Sequence, residues 1–236
     1  MGGDNSEIVV TIDLEKIYDE KVVPVHALRG VDLTVRKGEF MAIAGPSGSG
    51  KTTLLNLIGG LDIPSRGRVL LGGKDISTLN SSELADFRLR NIGFIFQAYN
   101  LIPVLTAEEN VEFVMMLQGV DHAERRRRVE EILRNFDIIE YAKHRPGELS
   151  GGQQQRVAVA RAIVSEPKIV LADEPTANLD SVTGASVMNM MEELNVKKEI
   201  TFVFSTHDKM VMDRARRLVI LRDGKIVEDK TINRSV

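Results

Sequence analysis

Cysteine is absent from all 236 residues. That excludes disulfides and thiolate metal sites and fits a reducing compartment. A basic excess is missing too: 31 Lys and Arg stand against 34 Asp and Glu, a formal net charge of −3. Nucleic-acid binders normally carry the opposite balance, so no nucleic acid is expected as a partner. No apolar run approaches the roughly 18–20 residues that span a bilayer. The opening Met1-Gly-Gly-Asp-Asn-Ser-Glu7 is polar and lacks the apolar stretch of a secretion signal. Any membrane role therefore needs a partner to supply the membrane part. There is no internal repeat and no low-complexity tract. What is present, 43% hydrophobic and 28% charged residues, suits one well-cored domain or a domain with a subdomain.

Periodicity sketches the elements. Ile8, Val10, Ile12 and Leu14 alternate, predicting a strand with those four side chains on one face. Glu39 to Gly45 is a short apolar run ending in glycine, as a buried strand feeding a loop should be. Thr52 to Leu61 reads as a helix closed by Gly59-Gly60, and Arg68 to Leu71 as a strand closed by Gly72-Gly73. The middle changes character. Thr106-Ala-Glu-Glu109 is a capping box opening a helix to about Gln118. Asp121 opens another, with Val129, Ile132, Leu133 and Phe136 on its apolar face. A third runs from Val157 to Ser165. Strands return at Lys168 to Asp173 and Ile200 to Ser205, both continuous enough to be buried on two faces, with a helix over Ser181 to Leu194 between them. Arg217 to Leu221 and Lys225 to Val227 flank Asp223-Gly224, a hairpin signal.

This pattern predicts an α/β fold with a mostly parallel sheet flanked by helices. An all-helical stretch interrupts it. The expected division is 1–96 and 165–236 as the core and 97–164 as a helical subdomain.

Gly45-Pro46-Ser47-Gly48-Ser49-Gly50-Lys51-Thr52 fits the phosphate-loop pattern between a predicted strand and a predicted helix. Glycines let successive backbone N–H groups curl around a phosphate, and the following helix points its positive end at the same anion. Lys51 is expected to reach the β- and γ-phosphates, Thr52 to place its hydroxyl on Mg²⁺, and Thr53 to bond an α-phosphate oxygen.

Ile169 to Ala172 runs into two adjacent carboxylates, Asp173 and Glu174. Ligands sit at the carboxyl ends of parallel strands, so this strand is expected beside the phosphate-loop strand. Alternation along a strand would turn the two side chains different ways. Asp173 is then expected at the metal, and Glu174 as general base or water-positioning group. Ser150-Gly151-Gly152, before a helix starting near Gln153, is a second anion-binding helix end, with Ser150 also an ordinary cap.

In order and in register, these motifs resemble the ATP-binding cassette (ABC) ATPase family across essentially the whole chain. The resemblance implies a P-loop NTPase core with an antiparallel β subdomain and an inserted α-helical subdomain. It makes Gly45 to Thr52 the Walker A loop, Leu149 to Gln153 the signature motif, and Asp173 and Glu174 the Walker B pair. Gln97, closing Phe94-Ile95-Phe96-Gln97, resembles the Q-loop glutamine, implying contact with Mg²⁺ and the attacking water. Ala177-Asn178-Leu179-Asp180 resembles the D-loop, although Ala177-Asn178 replaces the commoner small pair. His207 resembles the switch histidine that meets the γ-phosphate. Tyr18 sits where the family places an adenine platform, though it would serve equally as a strand-end core aromatic.

The family further implies an ATP-dependent homodimer. Walker A of one copy would face Ser150, Gly151, Gly152 and Gln153 of the other. It also implies an integral membrane transporter subunit as partner, and a place on the cytoplasmic face of the inner membrane. Gly45 to Asn56, Gly60-Leu61-Asp62, Leu101-Ile102-Pro103, Leu105-Thr106 and Gln153 to Arg156 resemble the lipoprotein-release and macrolide-export group of stand-alone ATPase subunits. A cell-division ATPase acting on a membrane protein is a near relative. Soluble repair or translation ATPases fit less well, since the stretch between the loop and the signature lacks heptads and cysteines and only one cassette is present. Glu174 and His207 argue against a non-catalytic regulator.

Three features stay outside that register. His26, His122 and His144 read as ordinary structural histidines. Arg125 to Arg128 reads as a solvated helix face with Arg126–Glu130 and Arg127–Glu131 pairs, rather than a phosphate or lipid patch. The apolar loop Ala98 to Leu105 is either a docking site for a membrane partner or buried within the helical subdomain.

Overall fold

The computed structural model describes residues 7–19 and 23–232. The polar opening segment lies outside these apart from Glu7. The chain begins with β1 (Glu7–Tyr18) and β2 (Val25–Arg36), then enters β3 (Phe40–Ala44) and α1 (Lys51–Ile58). β4 (Arg66–Leu71) and β5 (Lys74–Asp75) follow, then α2 (Ser81–Asn91) and β6 (Ile92–Ile95). Three helices come next: α3 (Ala107–Leu117), α4 (His122–Asn135) and α5 (Gly151–Ile163). The chain closes with β7 (Ile169–Asp173), α6 (Ser181–Lys198), β8 (Thr201–Thr206), α7 (Lys209–Arg214), β9 (Arg217–Arg222) and β10 (Lys225–Thr231).

Two sheets result. One is four-stranded and antiparallel, in the order β2-β1-β4-β5. The other is six-stranded, in the order β10-β9-β3-β8-β7-β6. Its β3, β6, β7, β8 and β9 run parallel, and β10 returns antiparallel on β9.

The parallel strands are buried on both faces because successive side chains point opposite ways. Phe40, Ala42 and Ala44 of β3 join Phe202 and Phe204 of β8 in a core covered by α3, α5 and α6. Met41 and Ile43, with Val203 and Leu171, fill the other face with Leu54, Leu55, Leu57 and Ile58 of α1 and the inner side of the antiparallel sheet. Phe40 meets Phe204 edge-on at 4.7 Å between ring centroids. Asn195 of α6, 3% exposed, ties this layer together by donating to the carbonyls of Ile200 at 2.6 Å and Gly38 at 2.9 Å.

Several expectations need correction. The face of β1 is not Ile8-Val10-Ile12-Leu14. Val9, Thr11 and Leu14 are buried, while Val10 and Ile12 turn outward. A bulge causes the slip: Asp13 has φ 45 and the pairing with β2 shifts between Thr11 and Leu14. β7 does not lie beside β3, since β8 stands between them. α1 ends at Ile58, short of the expected Leu61, which is 44% exposed. α5 starts at Gly151, six residues before Val157 and close to the start near Gln153 expected from the Ser150 cap. The Thr106–Glu109 capping box, the Val129–Leu133–Phe136 face and the β9–β10 hairpin stand as expected.

Candidate nucleotide site

β3 ends in the glycine-rich loop, whose shape requires glycine at two places. A Cβ on Gly45 would stand 2.1 Å from the carbonyl oxygen of Leu221. One on Gly50, at φ 101, would stand 2.4 Å from that of Ala27. Gly50 caps α1 without any side-chain hydrogen bond, which leaves the first helical N–H groups for an external acceptor. Lys51 is buried, and its Nζ donates to the carbonyls of Gly45 at 2.8 Å and Pro46 at 3.0 Å. Ser49 Oγ is buried there with no hydrogen-bond partner among the described residues.

β8 intervenes between β3 and β7, yet the loop still reaches β7, because α1 crosses β8 and packs on both β8 and β7. Thr52 Oγ1 lies 3.2 Å from each carboxylate oxygen of Asp173, the last residue of β7. The next residue turns away, though not through strand alternation. Glu174 has left the strand at φ 47, with its N–H donated to Ser205 at 2.9 Å. Its Oε1 meets His207 Nδ1 at 2.7 Å, and its Oε2 accepts from Thr206 Oγ1 at 3.3 Å. The carboxylate is sheltered at 13% exposure while the imidazole is 70% exposed. Among the described residues no three His, Asp or Glu side chains cluster as a metal cage. The available donors are hard oxygens, one carboxylate and one hydroxyl. They suit Mg²⁺, which binds through one or two carboxylates and completes its shell with phosphate oxygens and water.

Tyr18 closes β1 at 37% exposure, so it is not a core aromatic. Its hydroxyl donates to Asp62 Oδ2 at 2.8 Å, and Lys16 Nζ lies 4.8 Å from its ring centroid and 2.6 Å from Asp62 Oδ1. Partial burial and the bond to Asp62 raise the Tyr18 hydroxyl above its ordinary pKa, against a smaller opposing contact from Thr53. Burial works against the Asp62 carboxylate, but the bonds from Lys16 and Tyr18 hold its pKa below the usual value. Lys16 carries no motif in the sequence, and the Gly60-Leu61-Asp62 run gives no sign that Asp62 meets Tyr18.

Gln97 follows β6 and is exposed. Its carbonyl accepts from Asn178 Nδ2 at 2.7 Å. Ser150 caps α5 in a full capping box: its Oγ accepts the Gln153 N–H at 3.3 Å, and Gln153 Oε1 accepts the Ser150 N–H at 2.8 Å. This helix end meets other parts of the chain instead of the glycine-rich loop. A Cβ on Gly152 would stand 2.4 Å from Thr183 Cγ2, and one on Gly151 would stand 3.0 Å from the Tyr99 hydroxyl.

Three of the four arginines in the basic run on α4 are ion-paired. Arg127 bonds Glu124 and Glu131, and Arg128 bonds Glu124. Arg125 bonds Glu112, while Glu130 takes Arg134 instead of the expected Arg126. The loop from Ala98 to Leu105 is divided. Leu101 packs on the core, Val104 is 71% exposed, and buried Asn110 holds the backbone of Ile102 and Leu105. Beside it runs a groove of about 650 Å³ whose walls include Leu61, Leu89, Phe94, Phe96, Leu117 and Arg161.

A phosphate-type loop at the end of one parallel strand, facing carboxylates from another, defines a nucleotide-handling α/β protein. The profile of the ABC transporter family matches residues 28–177. The macrolide export ATP-binding/permease protein MacB of Brucella melitensis is 48% identical over 219 residues, 93% of this chain and 34% of that protein. The chain thus spans about a third of the length of such MacB relatives. An ABC transporter ATP-binding protein of Thermotoga maritima is 47% identical over 220 residues, 93% of this chain and 94% of that one. The dimeric post-hydrolysis structure of the ATP-binding cassette MJ0796, bound to ADP and Pi, superposes with a TM-score of 0.89. It has 41% identity, with 97% of this chain and 100% of that one covered. The chain belongs to the ABC transporter family and matches its ATP-binding cassette.

Proposed function

We propose that this chain is the ATP-hydrolysing subunit of a transporter, working as a homodimer that closes on two ATP molecules and opens after hydrolysis. The observation that carries this reading is the pairing of Thr52 with Asp173 at 3.2 Å beside the Glu174–His207 contact at 2.7 Å. It supplies oxygens for a cation and a base for water within one strand-end cluster.

In this reading residues 97–164 form a helical unit set on the core of 1–96 and 165–236. Gly45, Pro46, Ser47, Gly48, Ser49 and Gly50 wrap the phosphates with their backbone, and Ser49 Oγ gains a partner there. Lys51 exchanges its two carbonyls for the β- and γ-phosphate oxygens, and Thr53 bonds the α-phosphate. Tyr18 stacks on adenine, its ring angle set by Asp62. Thr52, Asp173 and Gln97 would hold Mg²⁺, which when bound offsets charge on the β- and γ-phosphate oxygens. Glu174 accepts a proton from water as the water oxygen bonds the γ-phosphorus and the bond to the β-phosphate oxygen breaks, releasing ADP. His207 orients Glu174 and donates to the γ-phosphate.

The capped start of α5, from Ser150 through Gly151 and Gly152 to Gln153, meets the γ-phosphate of the facing copy. Two such reciprocal contacts make ATP part of the interface. Among the described residues no helix is long and apolar enough to cross a membrane. We assign the membrane component to an integral membrane transporter subunit, with this cassette at the cytoplasmic face of the inner membrane. A cytoplasmic segment of that subunit docks in the groove beside Phe94 and Phe96.

Glu174→Gln tests the reading. Turnover should fall by roughly 10²–10⁴-fold while ATP binding persists, so ATP with Mg²⁺ should shift the variant to a stable dimer on gel filtration. A variant that stays monomeric at saturating ATP removes the sandwich.

A further inference from the structure

Two consecutive non-glycine residues, Tyr99 at φ 59 and Asn100 at φ 50, occupy the left-handed region just after Gln97. Side-chain-bearing residues rarely adopt this conformation, the tyrosine least readily of the two, and such strain persists only where the surroundings over-determine it. Here they do. Arg161 of α5 donates to both strained carbonyls, Asn100 at 2.6 Å and Tyr99 at 2.9 Å. Burial draws that guanidinium below its ordinary pKa, so these two carbonyls are its replacement for water.

The segment so fixed is joined to Ala177–Asp180 at two points. Asn178 Nδ2 donates to the Gln97 carbonyl at 2.7 Å, and the Tyr99 hydroxyl donates back to the Asn178 carbonyl at 3.4 Å. Both partners sit at the start of α5, where a Cβ on Gly151 would be 3.0 Å from the Tyr99 hydroxyl and 3.7 Å from the Asn178 carbonyl.

We infer that Asn178 is a positioning residue for Gln97, its amide fixing the peptide plane from which the Gln97 side chain departs, with Tyr99 as the second point of the latch. The donor is the Asn178 side-chain amide. An alanine at 178 has no side-chain donor, and a serine hydroxyl is carried one bond closer to the backbone than Asn178 Nδ2. The inference rests on the role proposed for Gln97.

The test is a double-mutant cycle on steady-state ATP hydrolysis by the full chain, with Asn178→Ala, Gln97→Ala and the pair. Asn178 is exposed, so its truncation removes little packing. Asn178→Ala should lower kcat about three- to tenfold, leaving KM for ATP and the unfolding midpoint unchanged. In the Gln97→Ala background the same change should cost nothing further. Tyr99→Phe should give a smaller loss that Gln97→Ala also absorbs. An unchanged kcat in Asn178→Ala, or losses that multiply in the pair, overturns the latch. A Gln97→Ala variant of full activity overturns the role of Gln97 itself, a separate failure read from a separate single variant.

Discussion

The Glu174 carboxylate and the His207 imidazole meet at 2.7 Å across the ends of two neighbouring parallel strands, β7 and β8. One partner is sheltered and the other reaches solvent. The histidine is placed to hold the carboxylate's orientation while most of its ring stays open to solvent. His207→Ala should therefore lower kcat by about 10²-fold with little change in the affinity for ATP. Single-turnover phosphate release checks this, and a wild-type rate would reduce the contact to a surface ion pair.

Lys51 is buried against two loop carbonyls. Charge-assisted bonds to phosphate are worth about 1.5–3 kcal/mol. Lys51→Ala should weaken binding of a fluorescent ATP analogue by roughly 10- to 100-fold. Equal affinity in titrations of both forms would show that the loop does not use its lysine.

The paired charges on α4 make a pH prediction. Bonds from Arg127 and Arg128 hold the Glu124 carboxyl down to about 2, from an ordinary value of 4.5. A lowered folded-state pKa contributes stability above the unfolded value and loses it as the pH falls through the folded one. Wild type should thus be more stable than Glu124→Gln near pH 6, and the gap should close between about pH 4.5 and pH 2. Thermal melts across that range measure it. Because the cluster is exposed, the gap should also shrink in high salt.

The sheet core could be read from the chain because β3, β7 and β8 are apolar on both faces, which leaves a continuous signature. α3 announced itself through Thr106 and Glu109. β2 does not follow from the periodicities noted above, although Val31, Leu33 and Val35 alternate and are buried. Gly30, at φ 72, breaks the pattern just before them. α2 buries only Leu84, so it shows no apolar stripe. Its one signal is the Asn80–Glu83 capping box.

In the candidate site, residues could be named singly but their neighbours could not. Nothing local in the sequence places Asp62 under Tyr18, 44 positions away, or Asn178 against Gln97, 81 positions away. The interposed β8 and the left-handed turn at Glu174 are likewise products of the tertiary fold.

That turn has a consequence for evolution as much as for the bench. A glutamate held at φ 47 is under tension, and glycine alone would rest there at ease. Glu174→Gly should be a hardier protein by up to about 1–2 kcal/mol, less whatever the lost His207 and Thr206 bonds supplied, while abolishing turnover. Urea denaturation would weigh the two. Under the role proposed for Glu174, drift toward robustness at this position would cost the chemistry, and the working chain carries its fragility where that chemistry is proposed to lie.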